Sequence, residues 1–212
     1  MNLLIFDLDG TLIDTRLDMA LSVNRIRKLY QLPEIPIEAL QSLMHQDMDL
    51  LYKNCFPELI KDFIPEDLKQ KYEIHYAQHV LENTKLYAGI ESTLQILSKN
   101  NFLTLYANRP ENLCKLLLNK FNLINYFKSI IGSDSYPYKK PNPEHILKII
   151  SQEKVSTTYV IGDSEMDMEL AKNLNAKSIW CKWGYYKNMV EFTPDFIAKT
   201  PEDLLNLIES KS

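Results

Sequence analysis

The sequence predicts an α/β protein: a doubly wound, mostly parallel sheet with a Rossmann-like core, into which an α-helical cap domain is inserted. Three observations carry that expectation. Apolar runs of strand length, at 3–6, 102–106, 129–132, 159–162 and 178–181, alternate with segments of helical periodicity, the pattern of parallel strands covered by helices. From Asp14 to about Asn83 there is no strand-like run, only helical patterning broken by Pro33, Pro36, Pro57 and Pro65. Side chains capable of chemistry stand just past the apolar runs, where sheets of this kind hold their ligands. The expected division is a core of 1–14 with 84–212 and a cap of 15–83.

The first element is the run Leu3-Leu4-Ile5-Phe6-Asp7-Leu8-Asp9-Gly10-Thr11-Leu12, which reads as a buried strand ending in an acidic turn. In an extended strand alternate side chains share a side, so Asp7 and Asp9 are expected to point together. Two carboxylates that close repel unless a divalent cation lies between them or one keeps its proton. Hard oxygen ligands at an open site suit magnesium. A carboxylate can also attack phosphorus, while a second protonates the leaving oxygen. An Asp-Gly turn by itself ends many strands, so the remaining elements must supply the context.

After this turn Met19, Val23, Ile26 and Tyr30 recur at helical spacing and open the cap. The chain rejoins the core near Gly89, forms a helix through Leu94 and Leu97, and enters the strand at 102–106, which delivers Ala107-Asn108-Arg109. A helix with Leu113, Leu116, Leu117 and Phe121 on one face follows. After the strand at 129–132 comes Tyr138-Lys139-Lys140-Pro141-Asn142-Pro143, a basic, proline-stiffened turn whose point charge suits a phosphoryl group. The run Tyr159-Val160-Ile161-Gly162 delivers Asp163 in a loop and Asp167 one helical turn later, where it can orient a lysine or a metal-bound water. Trp180 and Trp183 pack the last strand and its exit loop.

At Asp7-Leu8-Asp9-Gly10-Thr11 the chain resembles the haloacid dehalogenase-like superfamily, whose phosphatases open with Asp-x-Asp-Gly-Thr. Gly162-Asp163 with Asp167 matches the acidic Gly-Asp-x-x-x-Asp motif, and Lys140-Pro141-Asn142-Pro143 matches Lys-Pro-x-Pro, which selects Lys140 over Lys139. Asp14-Thr15, Tyr87-Ala88-Gly89-Ile90 and Trp183-Gly184-Tyr185 are similar to the phosphoglycolate phosphatase-like group with a small helical cap. The resemblance implies a magnesium-dependent phosphatase acting on a small phosphorylated metabolite through an aspartyl-phosphate. Asp7 would be the nucleophile, Asp9 the acid and base, and Lys140 the catalytic cation; Asp7, Asp9 and Asp163 would hold Mg2+, with Asp167 in support. Gly10, Thr11, Ala107, Asn108 and Lys140 would bind the phosphoryl group.

Two places depart from the pattern. Ala107 stands where relatives carry a Ser or Thr hydroxyl, which leaves open slow turnover, a shifted substrate or a compensating donor such as Arg109. The cap segment Leu43-Met44-His45-Gln46-Asp47-Met48 lacks the glycine of that group's substrate loop; for His45 and Gln46, facing a substrate and packing or solvating the cap both stay open.

A net charge of -4 argues against a general nucleic-acid or membrane binder, and no targeting or membrane-spanning segment is evident. The three widely spaced cysteines, Cys55, Cys114 and Cys181, read as free thiols in a reducing cytoplasm. His75 and His79, four residues apart, lack a third metal ligand nearby. The expected state is a monomer or homodimer. Two other readings remain: a sugar-phosphate mutase on the same scaffold, and a weakly active or inactive phosphate-ester-binding regulator. Asp9 argues against the dehalogenase relatives, which do without it and the metal.

Overall fold

The computed structural model describes residues 1–45, 48–153 and 155–209. Its elements run β1 (Asn2–Phe6), the two-residue β2 (Ile13–Asp14), α1 (Arg16–Leu29), α2 (Ile37–Gln41), α3 (Met48–Cys55), α4 (Glu66–His79) and β3 (Lys85–Leu86). There follow α5 (Ile90–Leu97), β4 (Asn101–Tyr106), α6 (Glu111–Lys120), a 3-10 turn at Ile124–Tyr126, β5 (Ser129–Ile131) and α7 (Glu144–Gln152). The chain ends with β6 (Thr158–Gly162), α8 (Glu165–Leu174), β7 (Lys177–Cys181), β8 (Phe196–Ala198) and α9 (Asp203–Glu209). It divides into two compact units, Met1–Ile13 with the chain from Leu86 onward, and Asp14–Lys85.

The first unit holds a six-stranded sheet in the order β5-β4-β1-β6-β7-β8. Each neighbouring pair is parallel, as the alternation of apolar runs and helices predicts. The chain builds outward from β1 to β4 and β5, then returns to the other side of β1 with β6. That reversal opens a crevice beyond the carboxyl ends of the strands. Every residue of β1 is buried, which explains its unbroken apolar run. Leu3 and Ile5 point to one side, packing with Tyr106 and Val160 against Ile146 of α7 and Leu170 and Leu174 of α8. Phe6, pointing the other way, meets Phe127 edge-on with ring centres 6.1 Å apart.

Two elements differ from expectation. On α6 the buried stripe is Leu113, Cys114, Leu117 and Leu118, and Leu116 is 41% exposed. At the helical repeat Leu116 is turned roughly 130° from the centre of that stripe, so spacing alone misassigned it. The edge strand β8 is a run of only three apolar residues, Phe196-Ile197-Ala198, too short to stand out from the loop around it, and one side of it is solvated: Ile197 is exposed while Ala198 is buried.

The second unit is helical between Arg16 and His79, with no strand among its described residues from 15 to 84. Met19, Val23 and Ile26 of α1 are buried, as are Tyr52, Phe56, Leu68, Tyr72 and Tyr76. Tyr52 meets Tyr72 edge-on at 5.6 Å, and Tyr72 stacks on Tyr76 at 6.0 Å. The buried Arg27 guanidinium donates to the carbonyls of Pro33 at 2.7 Å and Cys55 at 2.5 Å, and pairs with Glu58 at 2.8 Å. A cationic group so deep is tolerated because its donors are taken up by oxygen. His75 and His79 stack on each other at 4.2 Å, His79 sharing a hydrogen bond with Glu82. Gln46 and Asp47 lie outside the described residues, and among the described residues no helix is long and apolar enough to cross a membrane.

Candidate active site

Strand pairing brings the acids together. β1 ends at Phe6 and β6 at Gly162, and Phe6 stands opposite Ile161 in the ladder. Asp7 continues that ladder by one bond, its N–H donating to the Ile161 carbonyl at 2.9 Å. Asp163 therefore leaves β6 beside Asp7, and Asp167 projects from the first turn of α8. Asp7, Asp163 and Asp167 each offer a carboxylate oxygen, all within 4.8 Å of one another.

Lys140, from the turn before α7, closes the cluster. Its ammonium donates to Asp7 Oδ1 at 2.5 Å, to Asp167 Oδ1 at 2.7 Å and to the Tyr106 carbonyl at 3.3 Å. It is buried whereas Lys139 is exposed, and the Lys140–Pro141 peptide is cis. The other Asp167 oxygen accepts from the Ser164 N–H at 3.0 Å and its hydroxyl at 2.5 Å. Asp167 thus ties the start of α8 to the lysine.

Burial pushes the Asp7 carboxyl up to about 7; Lys140 opposes that shift and Asp167 adds to it. Burial, then Asp7 and Asp167, lift Asp163 well above the usual carboxylate range. Burial draws the Lys140 ammonium down, but Asp167 and Asp7 outweigh it and hold its pKa above the ordinary lysine value. Asp163 Oδ2 accepts the Tyr185 N–H at 2.6 Å. Among the described residues nothing donates to Asp7 Oδ2 or Asp163 Oδ1. Buried, mutually repelling oxygens that no protein hydrogen reaches are a donor set that fits a hard divalent cation.

Two glycines let the backbone pass these acids closely. A Cβ on Gly10, whose φ is +84°, would enter the Asp163 carboxylate, and one on Gly162 would enter that of Asp167.

Asp9 does not belong to the acidic cluster; its Oδ2 accepts the Arg109 Nε–H at 2.8 Å. The strand conformation stops at Phe6, and the bonds from Leu12 N–H at 2.9 Å and Ile13 N–H at 3.1 Å back to the Leu8 carbonyl turn the chain. Strict alternation therefore no longer governs Asp9. The Gly10 N–H is used within the same turn, donating to Ile13. Thr11 is buried, its carbonyl accepting the Trp183 indole N–H at 3.0 Å while its hydroxyl finds no partner among the described residues. The Ala107 N–H donates to the Ile131 carbonyl at 3.0 Å, continuing the sheet. Asn108 Nδ2 donates to the Lys140 carbonyl at 3.2 Å, linking the strand end after β4 to the lysine turn. Sequence reasoning named Tyr185 only within the Trp183-Gly184-Tyr185 motif and gave it no role at the site; its contribution is a backbone N–H that its side chain does not advertise. Sequence reasoning missed the Ser164–Asp167 pairing, for which Ser-x-x-Asp before a helix was a readable signal.

With that geometry in view, the family described as haloacid dehalogenase-like hydrolase matches residues 4–181. A phosphoglycolate phosphatase of Aquifex aeolicus is 32% identical over 213 residues, covering 99% of this chain and 98% of that protein. One from Agrobacterium fabrum is 34% identical over 212 residues, covering 94% and 91%. Among solved structures, a predicted phosphoglycolate phosphatase from Haemophilus somnus superposes with a TM-score of 0.85 at 24% identity, covering 98% of each chain. A haloacid dehalogenase-like hydrolase from Streptococcus pneumoniae gives 0.83 at 19% identity, again covering 98% of each. The match along nearly the whole chain, together with acids and a lysine converging past the central strands, makes this protein a member of the haloacid dehalogenase-like hydrolases.

Proposed function

We propose that the protein is a magnesium-dependent phosphatase that hydrolyses a small phosphorylated metabolite through an aspartyl-phosphate. The observation that carries the reading is the Lys140 ammonium shared between Asp7 and Asp167 beside Asp163, a nucleophile with its charge partner and a cation-sized acidic cluster. Relatives 32% and 34% identical are phosphoglycolate phosphatases, which supports a small phosphorylated acid as the first substrate to try.

In this reading an Asp7 carboxylate oxygen bonds to phosphorus as the bond to the leaving oxygen breaks, and Asp9 gives that oxygen its proton. Asp9 then takes a proton from the water that attacks phosphorus, which frees inorganic phosphate and restores Asp7. Lys140 offsets the negative charge on the nucleophile and the transferring oxygens, held in place by Asp167 and, through its carbonyl, by Asn108. Asp7 and Asp163, with Asp167 in support beside them, are the residues that would hold Mg2+, which when bound supplies positive charge for the phosphoryl oxygens.

The test is phosphate release from 2-phosphoglycolate, glycerol phosphate and sugar phosphates with Mg2+, for the wild type and Asp7→Asn. Release by the wild type, reduced by on the order of a thousandfold in Asp7→Asn, is expected. Equal rates in the two proteins would overturn the assignment, and transfer to sugar instead of water would favour the mutase chemistry.

A further inference from the structure

Resting on the phosphatase reading, we infer that Arg109 is the positioning residue for Asp9, holding its carboxylate out of the acidic cluster and in the orientation from which it serves the leaving oxygen. Asp9 follows Asp7 by two residues, close enough for its charge to raise the Asp7 pKa. The turn after β1 frees Asp9 from strand alternation but does not by itself fix where its carboxylate points. The partner that turns Asp9 aside comes from a strand end one hundred residues away, its Nε 2.8 Å from Asp9 Oδ2. The two side chains are only 12% and 23% exposed, so the ion pair is weakly screened and charge-assisted.

Arg109 is itself firmly placed. Its carbonyl accepts the Ser133 N–H at 2.8 Å and the Cys114 thiol at 3.5 Å. Gly132 lies so close that a Cβ there would collide with the Arg109 carbonyl and the Glu111 N–H. The other two residues of this strand end have their donors engaged, Ala107 in the sheet and Asn108 on the Lys140 carbonyl. Arg109 is thus the member of Ala107-Asn108-Arg109 that reaches the Asp9 loop, and its planar guanidinium fixes the direction of the bond it makes. A proton-transferring carboxylate works only when held in a productive orientation, so this contact contributes to rate without touching phosphorus.

A double-mutant cycle with two esters tests this. p-Nitrophenyl phosphate has a leaving group that departs without protonation, whereas the alkyl oxygen of glycerol 2-phosphate requires a proton. Because Asp9 also activates the water of the later hydrolysis common to both esters, the comparison uses kcat/KM, which reports the steps up to departure of the leaving group: Arg109→Gln is expected to lower it by about tenfold or more on glycerol 2-phosphate, and by less than about threefold on p-nitrophenyl phosphate. In an Asp9→Asn background the same substitution is expected to add no further loss, because it acts through Asp9. A crystal structure of Arg109→Gln is expected to show the Asp9 carboxylate displaced. Equal losses on both esters, or an undiminished loss in the Asp9→Asn background, would overturn the inference and make Arg109 a donor to the phosphoryl group. Should Arg109→Gln fail to fold, Arg109→Lys keeps the charge without the planar donor and is held to the same two criteria. A wild type that releases no phosphate would instead remove the phosphatase reading underneath, whereas an Asp9→Asn protein fully active on glycerol 2-phosphate would remove the acid role of Asp9 and this inference with it.

Discussion

Lys140 donates to Asp167 across 2.7 Å, and both side chains are almost wholly buried. The same ammonium reaches Asp7, so one positive charge is shared by two acids that share no neighbouring sequence. Replacing Lys140 with Met is therefore expected to leave three clustered carboxylates without their cation. Removing one member of a buried charge cluster costs about 3 kcal/mol or more. Urea denaturation in the absence of divalent cation measures the loss, and phosphate release is expected to vanish with it.

Adding Mg2+ to the wild type is expected to raise the unfolding temperature, since an ion bound only by the folded state stabilises it by mass action. The acids it would screen are those whose pKa values burial and mutual repulsion lift, Asp7 and Asp163. In Asp163→Asn the Mg2+-induced rise is expected to shrink or disappear. An undiminished rise, read by differential scanning fluorimetry, would place the cation elsewhere.

Gly162→Ala tests the closeness of backbone and acid. The added methyl group would occupy the position of the Asp167 carboxylate, which Ser164 and Lys140 already fix. Overpacking of this kind costs about 1–3 kcal/mol. Displacing Asp167 also releases Lys140, so kcat is expected to fall at least about tenfold while the protein still folds.

In the Asp14–Lys85 unit, the buried Asp18 carboxylate accepts from the Asn83 N–H and Nδ2, and from the Thr84 N–H at 2.7 Å and its hydroxyl at 2.9 Å. These bonds fasten the start of α1 to the chain leaving α4. Asp18→Ala leaves those donors without an acceptor, each costing about 1–3 kcal/mol if buried, with partial relief from water. A loss of about 2–4 kcal/mol in urea denaturation is expected.

Asp195 carries a pH signature. Partial burial would raise its carboxyl, but the Ser178 N–H and hydroxyl, both at 2.9 Å, outweigh it and hold the pKa below the usual value. A folded-state pKa lower than the unfolded one gives a contribution fully present above the unfolded value, about 3.9, and lost as pH falls through the depressed one. The stability gap between wild type and Asp195→Asn is therefore expected to be larger at pH 7 than at pH 3.

The sheet was legible because each of its buried strands needs an apolar run. β1, β4, β6 and β7 announce themselves in composition, and the acids and lysine follow them as punctuation. Less visible were elements with little buried surface of their own, such as β8, and the burial of single helix positions, such as Leu116. Both depend on what packs against the element, which spacing records only in part.

By itself the sequence determined which residues end the strands: Asp7, Ala107 and Asp163 follow apolar runs, and Lys140 precedes a proline-stiffened turn. Only the tertiary structure decided which of these meet. Asp167 joins Asp7 and Asp163 because β6 pairs with β1, while Asp9 turns to Arg109 because β4 flanks β1 on the other side. Those pairings are contacts between distant parts of the chain, fixed by the order in which parallel strands bury one another. A local pattern of side chains carries no record of that order.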